Sequence, residues 1–285
     1  MNPFKRWRNP EPIGPLDYSR RLWLKLTVGL TLFFLYAPII GLIVFSFNDS
    51  RRNVVWRGFT TLYYQKLFNN EVLMMAFGNS LTIAIVTTIF STTLGALTAY
   101  VLWRYRFPGK AVYEGAMALP IVIPEICMGV AMMVFFARIG WPSGLIWPFN
   151  LGSIMIAHIA FSFPFAAIVI RARLESFNRE LAECARDLGA NERQVFTDII
   201  VPHMKPGLIA GALLAFTLSL DDFVITFFTS GPETVTFPVK IYSMVRFSVS
   251  PEVNAASTVL ILLTLIVTTI ALRLQNRHNM LSGGH

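Results

Sequence analysis

Apolar residues run almost unbroken through stretches at about 22–47, 76–103, 113–136, 151–171, 206–229 and 255–272. Each approaches the roughly 20 residues that an α-helix needs to cross a hydrocarbon core. The pattern predicts an all-α, polytopic membrane protein with six transmembrane helices. One long polar segment, Arg179–Pro206, interrupts the apolar region between residues 75 and 275. It predicts a helical hairpin held in water between the fourth and fifth spans.

That hairpin has its own local signals. Asn178 is placed to cap a first helix, with Glu180 in the first turn, where negative charge suits the helix dipole. Leu181, Ala185 and Leu188 fall on one face, and Gly189 is expected to end the helix. Asn191 with Gln194 has the spacing of a capping box for a second helix. Its apolar stripe is Val195, Phe196, Ile199 and Ile200, and Pro202 and Pro206 are expected to close it. Smaller amphipathic helices are expected outside the spans, around Phe59–Phe68 and Phe237–Arg246. Residues 1–21 form an N-terminal arm, 22–275 the membrane domain with its core at about 75–272, 178–206 the polar loop, and 276–285 a short polar tail.

Composition agrees with the membrane reading. Of 285 residues, 54% are hydrophobic and 14% charged, with 24 phenylalanines. The net charge of +8 raises nucleic acid as a partner, but its distribution argues against that. With the N-terminus inside, the outer segments hold only Arg51, Arg52, Arg57, Lys66, Arg138, Lys240 and Arg246 of the lysines and arginines. The remaining ones cluster inside, as the positive-inside rule requires, which places both termini and the polar hairpin in the cytoplasm. Leu22–Phe47 is too long for a cleaved signal peptide and reads as a retained first span. Trp141, Trp147 and Pro148 mark the outer interface. Cys127 and Cys184 lie at different depths, so no disulfide is expected. No Cys/His metal cluster, no GxxxxGK[ST] phosphate loop and no nucleophile–base constellation is legible.

The candidate chemistry lies inside the spans. Glu125 follows Pro120 and Pro124, two prolines four residues apart that break the third span. Asp221 and Asp222 are adjacent in the fifth. A carboxylate at membrane depth costs about 2.5–3.5 kcal/mol on insertion scales, so each needs a partner or a function. On one continuous helix, Ser219, Asp222, Thr226 and Thr229 would form a polar stripe, with Asp221 on another face beside Thr217. Asp222 is therefore expected to face a translocation path, and Asp221 to hold a neighbouring helix. Ser219 and Thr226 join the path, and Phe163, in the aromatic run 161–165, is a candidate wall for a cation. The alternative is that these groups are structural. His158, alone in the fourth span, is expected to be a hydrogen-bonded packing residue.

Two sets of residues resemble a known family. Glu183-Cys184-Ala185, then Gly189-Ala190, Ile199 and Pro202, resembles the Glu-Ala-Ala loop of ABC importer permeases. Cys184 replaces an alanine of that pattern and Val201 a leucine. Gly78-Asn79-Ser80-Leu81 resembles the start of the same permease core. Leu-Pro-Ile-Val-Ile-Pro-Glu-Ile at 119–126 and Ser-Leu-Asp-Asp-Phe-Val-Ile-Thr at 219–226 look like the second permease subunit of spermidine/putrescine importers.

The resemblance implies the type I ABC importer permease fold, with the polar hairpin docking on a cytoplasmic ABC ATPase dimer. It implies a second permease chain, giving a heterodimer, and a periplasmic or extracellular substrate-binding protein, all around a bilayer-embedded subunit that is not itself an enzyme. ATP and Mg belong to the ATPase partner, and no cofactor or metal is expected in this chain. A polyamine suits carboxylates that offset lost hydration and aromatic faces that take cations. Three readings stay open at this point: the same architecture carrying an opine, iron or another small solute; an ion-driven secondary transporter; and an intramembrane enzyme.

Overall fold

The computed structural model describes residues 22–50, 55–139, 150–247 and 251–282. The N-terminal arm and Trp141, Trp147 and Pro148 lie outside them. Apart from one isolated bridge between Asn48 and Phe59, the described residues are helices and their connections. Among the described residues, five helices are long and apolar enough to cross a membrane, or six if one sharply bent pair is a single broken span.

The first helix, α1 (Leu22–Phe45), has no buried residue and leans mainly on the last helix among the described residues. The chain then turns outside the spans. Asn48 holds the turn through its amide, which donates to the Val55 carbonyl at 2.9 Å and accepts from Arg57 N–H at 2.9 Å. Short α2 (Leu62–Asn69) follows, and its buried Tyr63 and Leu67 dock it on the protein. This is the amphipathic helix that the sequence predicts, spent on packing.

Three long helices make the core. α3 (Glu71–Arg104) buries Ser80, Ala84, Thr87, Ser91, Gly95 and Ala99 along one stripe. Such small residues let two backbones approach, which is how membrane helices associate without a hydrophobic drive between them. The partner is α6 (Leu151–Glu175), the central helix, against which both α3 and the long helix Glu192–Leu220 pack. α6 begins with a capping box between Asn150 and Ser153, and the Ser153 hydroxyl also donates to the Thr229 carbonyl at 3.2 Å.

Between α3 and α6 the third predicted span is not a rod. α4 (Lys110–Val122) and α5 (Glu125–Ile139) meet at a 108° bend at Ile123-Pro124. Pro124 lacks the N–H that would continue the ladder, so α4 ends on Ile123, whose N–H still reaches the Leu119 carbonyl at 2.9 Å.

The polar hairpin forms as its caps require. α7 (Arg179–Asp187) is capped by Asn178, whose side chain accepts from Glu180 N–H at 3.0 Å. Gly189 turns the chain at φ +89°, a left-handed conformation that costs a glycine nothing. The second helix corrects the sequence reading. It is not a short helix closed by Pro202 and Pro206 but the start of α8 (Glu192–Leu220), which runs through both prolines into the membrane. Val195–Ile200 widens into a π-turn, in which Val201 N–H reaches back five residues to the Phe196 carbonyl. The slack removes the need for an N–H at Pro202, and the five-residue spacing aligns Val195 with Ile200, both buried.

A second correction lies at the other end of α8. The predicted span 206–229 breaks at Asp221-Asp222-Phe223, and a short α9 (Val224–Thr229) follows. The loop after it is tied to α3: Asn79 donates to the Val235 carbonyl at 3.2 Å, and the Ser80 hydroxyl accepts from Phe237 N–H at 2.9 Å. Residues 78–80 therefore work as an anchor for this loop. α10 (Phe237–Phe247) and α11 (Pro251–Ser282) complete the chain. The last helix continues through most of the polar tail expected at 276–285.

Candidate functional site

Both broken helices come together. α5 packs directly on α9, close enough at Gly129 that an added Cβ would lie 2.8 Å from the Phe228 ring and 3.4 Å from the Val224 carbonyl. The breaks carry the carboxylates singled out from sequence. Glu125 opens α5, and Asp221 closes α8, where its N–H bonds the Thr217 carbonyl at 3.2 Å. Both side chains are exposed on the isolated chain. Half-helices with a carboxylate at the break are a recurring way to build a solute site at membrane depth, because irregular backbone is tolerated there only inside protein or along a water-filled cavity.

The two aspartates reverse the burial expected of them. Asp222, not Asp221, is the buried one, with a side chain 4% exposed. One oxygen accepts from Ile225 N–H at 3.3 Å. The other accepts from Thr226 N–H at 2.8 Å and from the Thr226 hydroxyl at 2.8 Å, so Asp222 caps α9. It also faces His158 Nε2 at 3.2 Å across the interface with α6. The expectation failed because it assumed one continuous helix through 229. The break at 221–223 rotates Asp221 out of register and leaves it free of the packed interface.

His158 completes the network. Its Nδ1 lies 2.8 Å from the Ser219 hydroxyl and its Nε2 2.9 Å from the Thr226 hydroxyl. A carboxylate only accepts and the Thr226 hydroxyl already donates to it, so Nε2 carries the proton. Ser219, Asp222 and Thr226, grouped by spacing, do converge, but on a buried imidazole rather than on an open path. His158 is the packing histidine that the sequence predicts. Phe136, Ala157, Phe161 and Ile225, with Met128, Met132, Phe165 and Leu218, wrap the interface in apolar surface. Phe163 packs with Leu102, Met117 and Ala167 in a separate cluster.

Aromatic surface at this break comes from residues that sequence reasoning passed over. Phe223, within the break, stacks on Tyr242 of α10 with ring centroids 4.6 Å apart, and Phe227 lies 6.4 Å from the same tyrosine. Phe227 and Tyr242 are about half exposed. Only the match between 223 and 227 in helical spacing hinted at them.

In the polar hairpin, Ala182 is buried and Ala185, Ala190 and Ile199 are half-buried against the ends of α3, α6 and α8. Glu183, Cys184, Gly189 and Pro202 are exposed. The inward face of α7 turns on Ala182 and Ala185, while Leu181 and Leu188 point away, Leu188 at 89% exposure. Arg186 and Glu192 join the two arms of the hairpin at 2.6 Å, and Asn191 and Gln194 form the reciprocal capping box. Arg179 lies over the Trp103 ring, 5.1 Å from its centroid, and donates to the Trp103 carbonyl at 3.2 Å. The hairpin is thus a rigid knob fixed to the membrane domain, with an outward face of Leu181, Glu183, Cys184 and Leu188.

Residues 91–279 match the family described as the binding-protein-dependent transport system inner membrane component. The chain belongs to this family. The permease is 43% identical over 234 residues to the spermidine/putrescine transport system permease protein PotC of Escherichia coli (strain K12), covering 82% of this chain and 86% of that protein. It is 39% identical over 265 residues to the putrescine transport system permease protein PotI of the same strain, covering 92% and 94%. Its fold is also that of a solved chain from a bacterial ABC transporter involved in the import of the acidic polysaccharide alginate, with a TM-score of 0.72 at 20% identity over 90% of this chain and 95% of that one. The permease is therefore a multi-pass inner-membrane subunit of an ABC importer and not itself an enzyme.

Proposed function

We propose that this permease carries polyamines, such as spermidine or putrescine, and that Asp221 and Glu125 are the groups that meet the ammonium ions. The observation that carries the reading is the pair of exposed carboxylates at two abutting helix breaks. The names of the relatives at 43% and 39% identity support the substrate class. An ammonium group loses most of its hydration in a narrow passage, and a fixed carboxylate offsets that loss. Phe223, Phe227 and Tyr242 offer faces to the methylenes and cations between charges. Asp222, Ser219 and Thr226 act from behind, holding the break.

In this reading the bent pair α4–α5 is one broken span, giving six, and both termini are cytoplasmic by the bias of lysine and arginine. The outward face of the hairpin docks on a cytoplasmic ATPase dimer, with Glu183, Cys184 and Leu188 at the contact and Gly189 and Ala190 setting its shape. A second, different permease chain completes the path. A periplasmic binding protein delivers the solute, as the family name implies and as a solved relative, the alginate transporter in complex with a periplasmic protein, illustrates. ATP and Mg belong to the ATPase.

The test is polyamine-stimulated ATP hydrolysis by the reconstituted complex with its binding protein present. Stimulation by spermidine or putrescine, and none by sulfate or a neutral sugar, is the expected result. Stimulation by an unrelated solute would leave the importer and remove the substrate.

A further inference from the structure

We propose that His158 is a positioning residue for transport, setting the place of Asp221 by clamping both sides of the helix break. The inference rests on the reading that Asp221 lies on the substrate path. Its own support is geometric. One imidazole on α6 reaches Ser219, the last turn of α8, through Nδ1 at 2.8 Å. Through Nε2 it reaches Thr226 of α9 at 2.9 Å and Asp222 in the break at 3.2 Å. Asp221 lies between these tethered points and is the exposed member of the segment. Without the imidazole, Asp222 still caps α9 through Ile225, Thr226 and the Thr226 hydroxyl. The short helix would persist, and among the described residues the polar tie left from α6 would be Ser153 on the Thr229 carbonyl, at the far end of α9 from the break.

Buried polar groups in such a network are held to one arrangement, because any other leaves a donor or acceptor unpaired in a dry interior. Here the ring is 2% exposed and the wrapping side chains are apolar, so no water competes for these partners. A helix alone tolerates small rotations at a break. Three contacts to one rigid ring do not, and the constraint passes to Asp221 through two peptide units at most on either side. A carboxylate displaced by about 1 Å from its productive place loses much of its value to a passing cation.

The experiment is a double-mutant cycle on the assembled complex, in proteoliposomes holding ATP. The variants are His158→Leu, Asp221→Asn and the pair, with His158→Gln as the conservative variant, whose amide replaces the donor at Nε2. Asp221→Glu replaces Asp221→Asn if the amide leaves too little uptake to measure. The readout is initial spermidine uptake per complex that retains its ATPase. His158→Leu is expected to lower uptake about tenfold in the native background and less than about twofold when Asp221 is already changed, a coupling within the range of contacting residues. His158→Gln is expected to recover most of the loss. Equal factors in both backgrounds would mean that His158 only stabilises the fold, and would overturn the inference while leaving the path intact. Full uptake by the Asp221 variants would overturn the path reading and this inference with it. Should His158→Leu fail to assemble, Ser219→Ala enters the same cycle, and the same pattern decides.

Discussion

Asp221 and Asp222 are neighbours with the same side chain, yet the structure gives them opposite surroundings. Asp222 is enclosed by donors from Ile225, Thr226 and His158, and Asp221 is open. Exchanging each for asparagine therefore has different expected consequences. Asp222→Asn removes an acceptor from a buried donor set, which costs about 1–3 kcal/mol, and the purified complex should melt a few degrees lower. Asp221→Asn should leave the melting point within a degree or so and reduce uptake. A differential scan of the two variants checks this. Gly189 gives a second prediction at this scale. At φ +89° an alanine is strained by roughly 1–2 kcal/mol, whereas asparagine enters this region more easily. Gly189→Ala should lower transport per ATP hydrolysed more than Gly189→Asn does, with assembly retained in both. Equal ratios would show that the turn has no part in coupling.

At the scale of elements, helix existence was largely legible and helix continuity was not. The capping signals at Asn178 and Asn191 and the glycine stop at 189 all appear where the sequence puts them, because they are local hydrogen-bond chemistry within a few residues. Prolines were less transparent. Pro124 helps to break a helix by 108°, while Pro202 and Pro206 sit inside a continuous one, because a π-turn before Pro202 absorbs the missing bond. The break at 221–223 carries no proline or glycine at all. Its cause is tertiary: Asp222 exchanges a place in the ladder for a cap on α9 and a partner on α6, and no periodicity reveals that. The polar stripe of Ser219, Asp222 and Thr226 was correctly grouped, but its target, His158, lies 61 residues from Ser219 in sequence. One packing prediction belongs here. α5 and α9 meet at Gly129, so Gly129→Leu should separate the two breaks and lower uptake, whereas Gly29→Leu on α1, with nothing within 4 Å, should not. Uptake by both variants at the native rate would mean that the meeting of the breaks is immaterial to transport.

At the scale of the whole molecule, the described residues form a core of α3, α6 and α8 with the polar hairpin as a knob at one end of α8 and a helix break at the other. α8 joins the two directly, running from the hairpin at Glu192 to the break at Leu220 as one helix. In the proposed docking of the ATPase on the knob, α8 is the element that links the knob to Asp221. Docking of the ATPase on the hairpin predicts that Cys184, exposed on its outward face, reacts with a maleimide in the isolated permease and is protected in the complex. Cys127→Ala removes the other exposed thiol from that measurement.

The most direct test is ATP-driven uptake of labelled spermidine and putrescine by the reconstituted complex, comparing the native chain with Asp221→Asn and Asp222→Asn. Uptake that requires ATP, is lost in Asp221→Asn without loss of assembly, and falls in Asp222→Asn only as the complex loses stability is the predicted result. Uptake that survives in Asp221→Asn and fails in a fully assembled Asp222→Asn complex would contradict it.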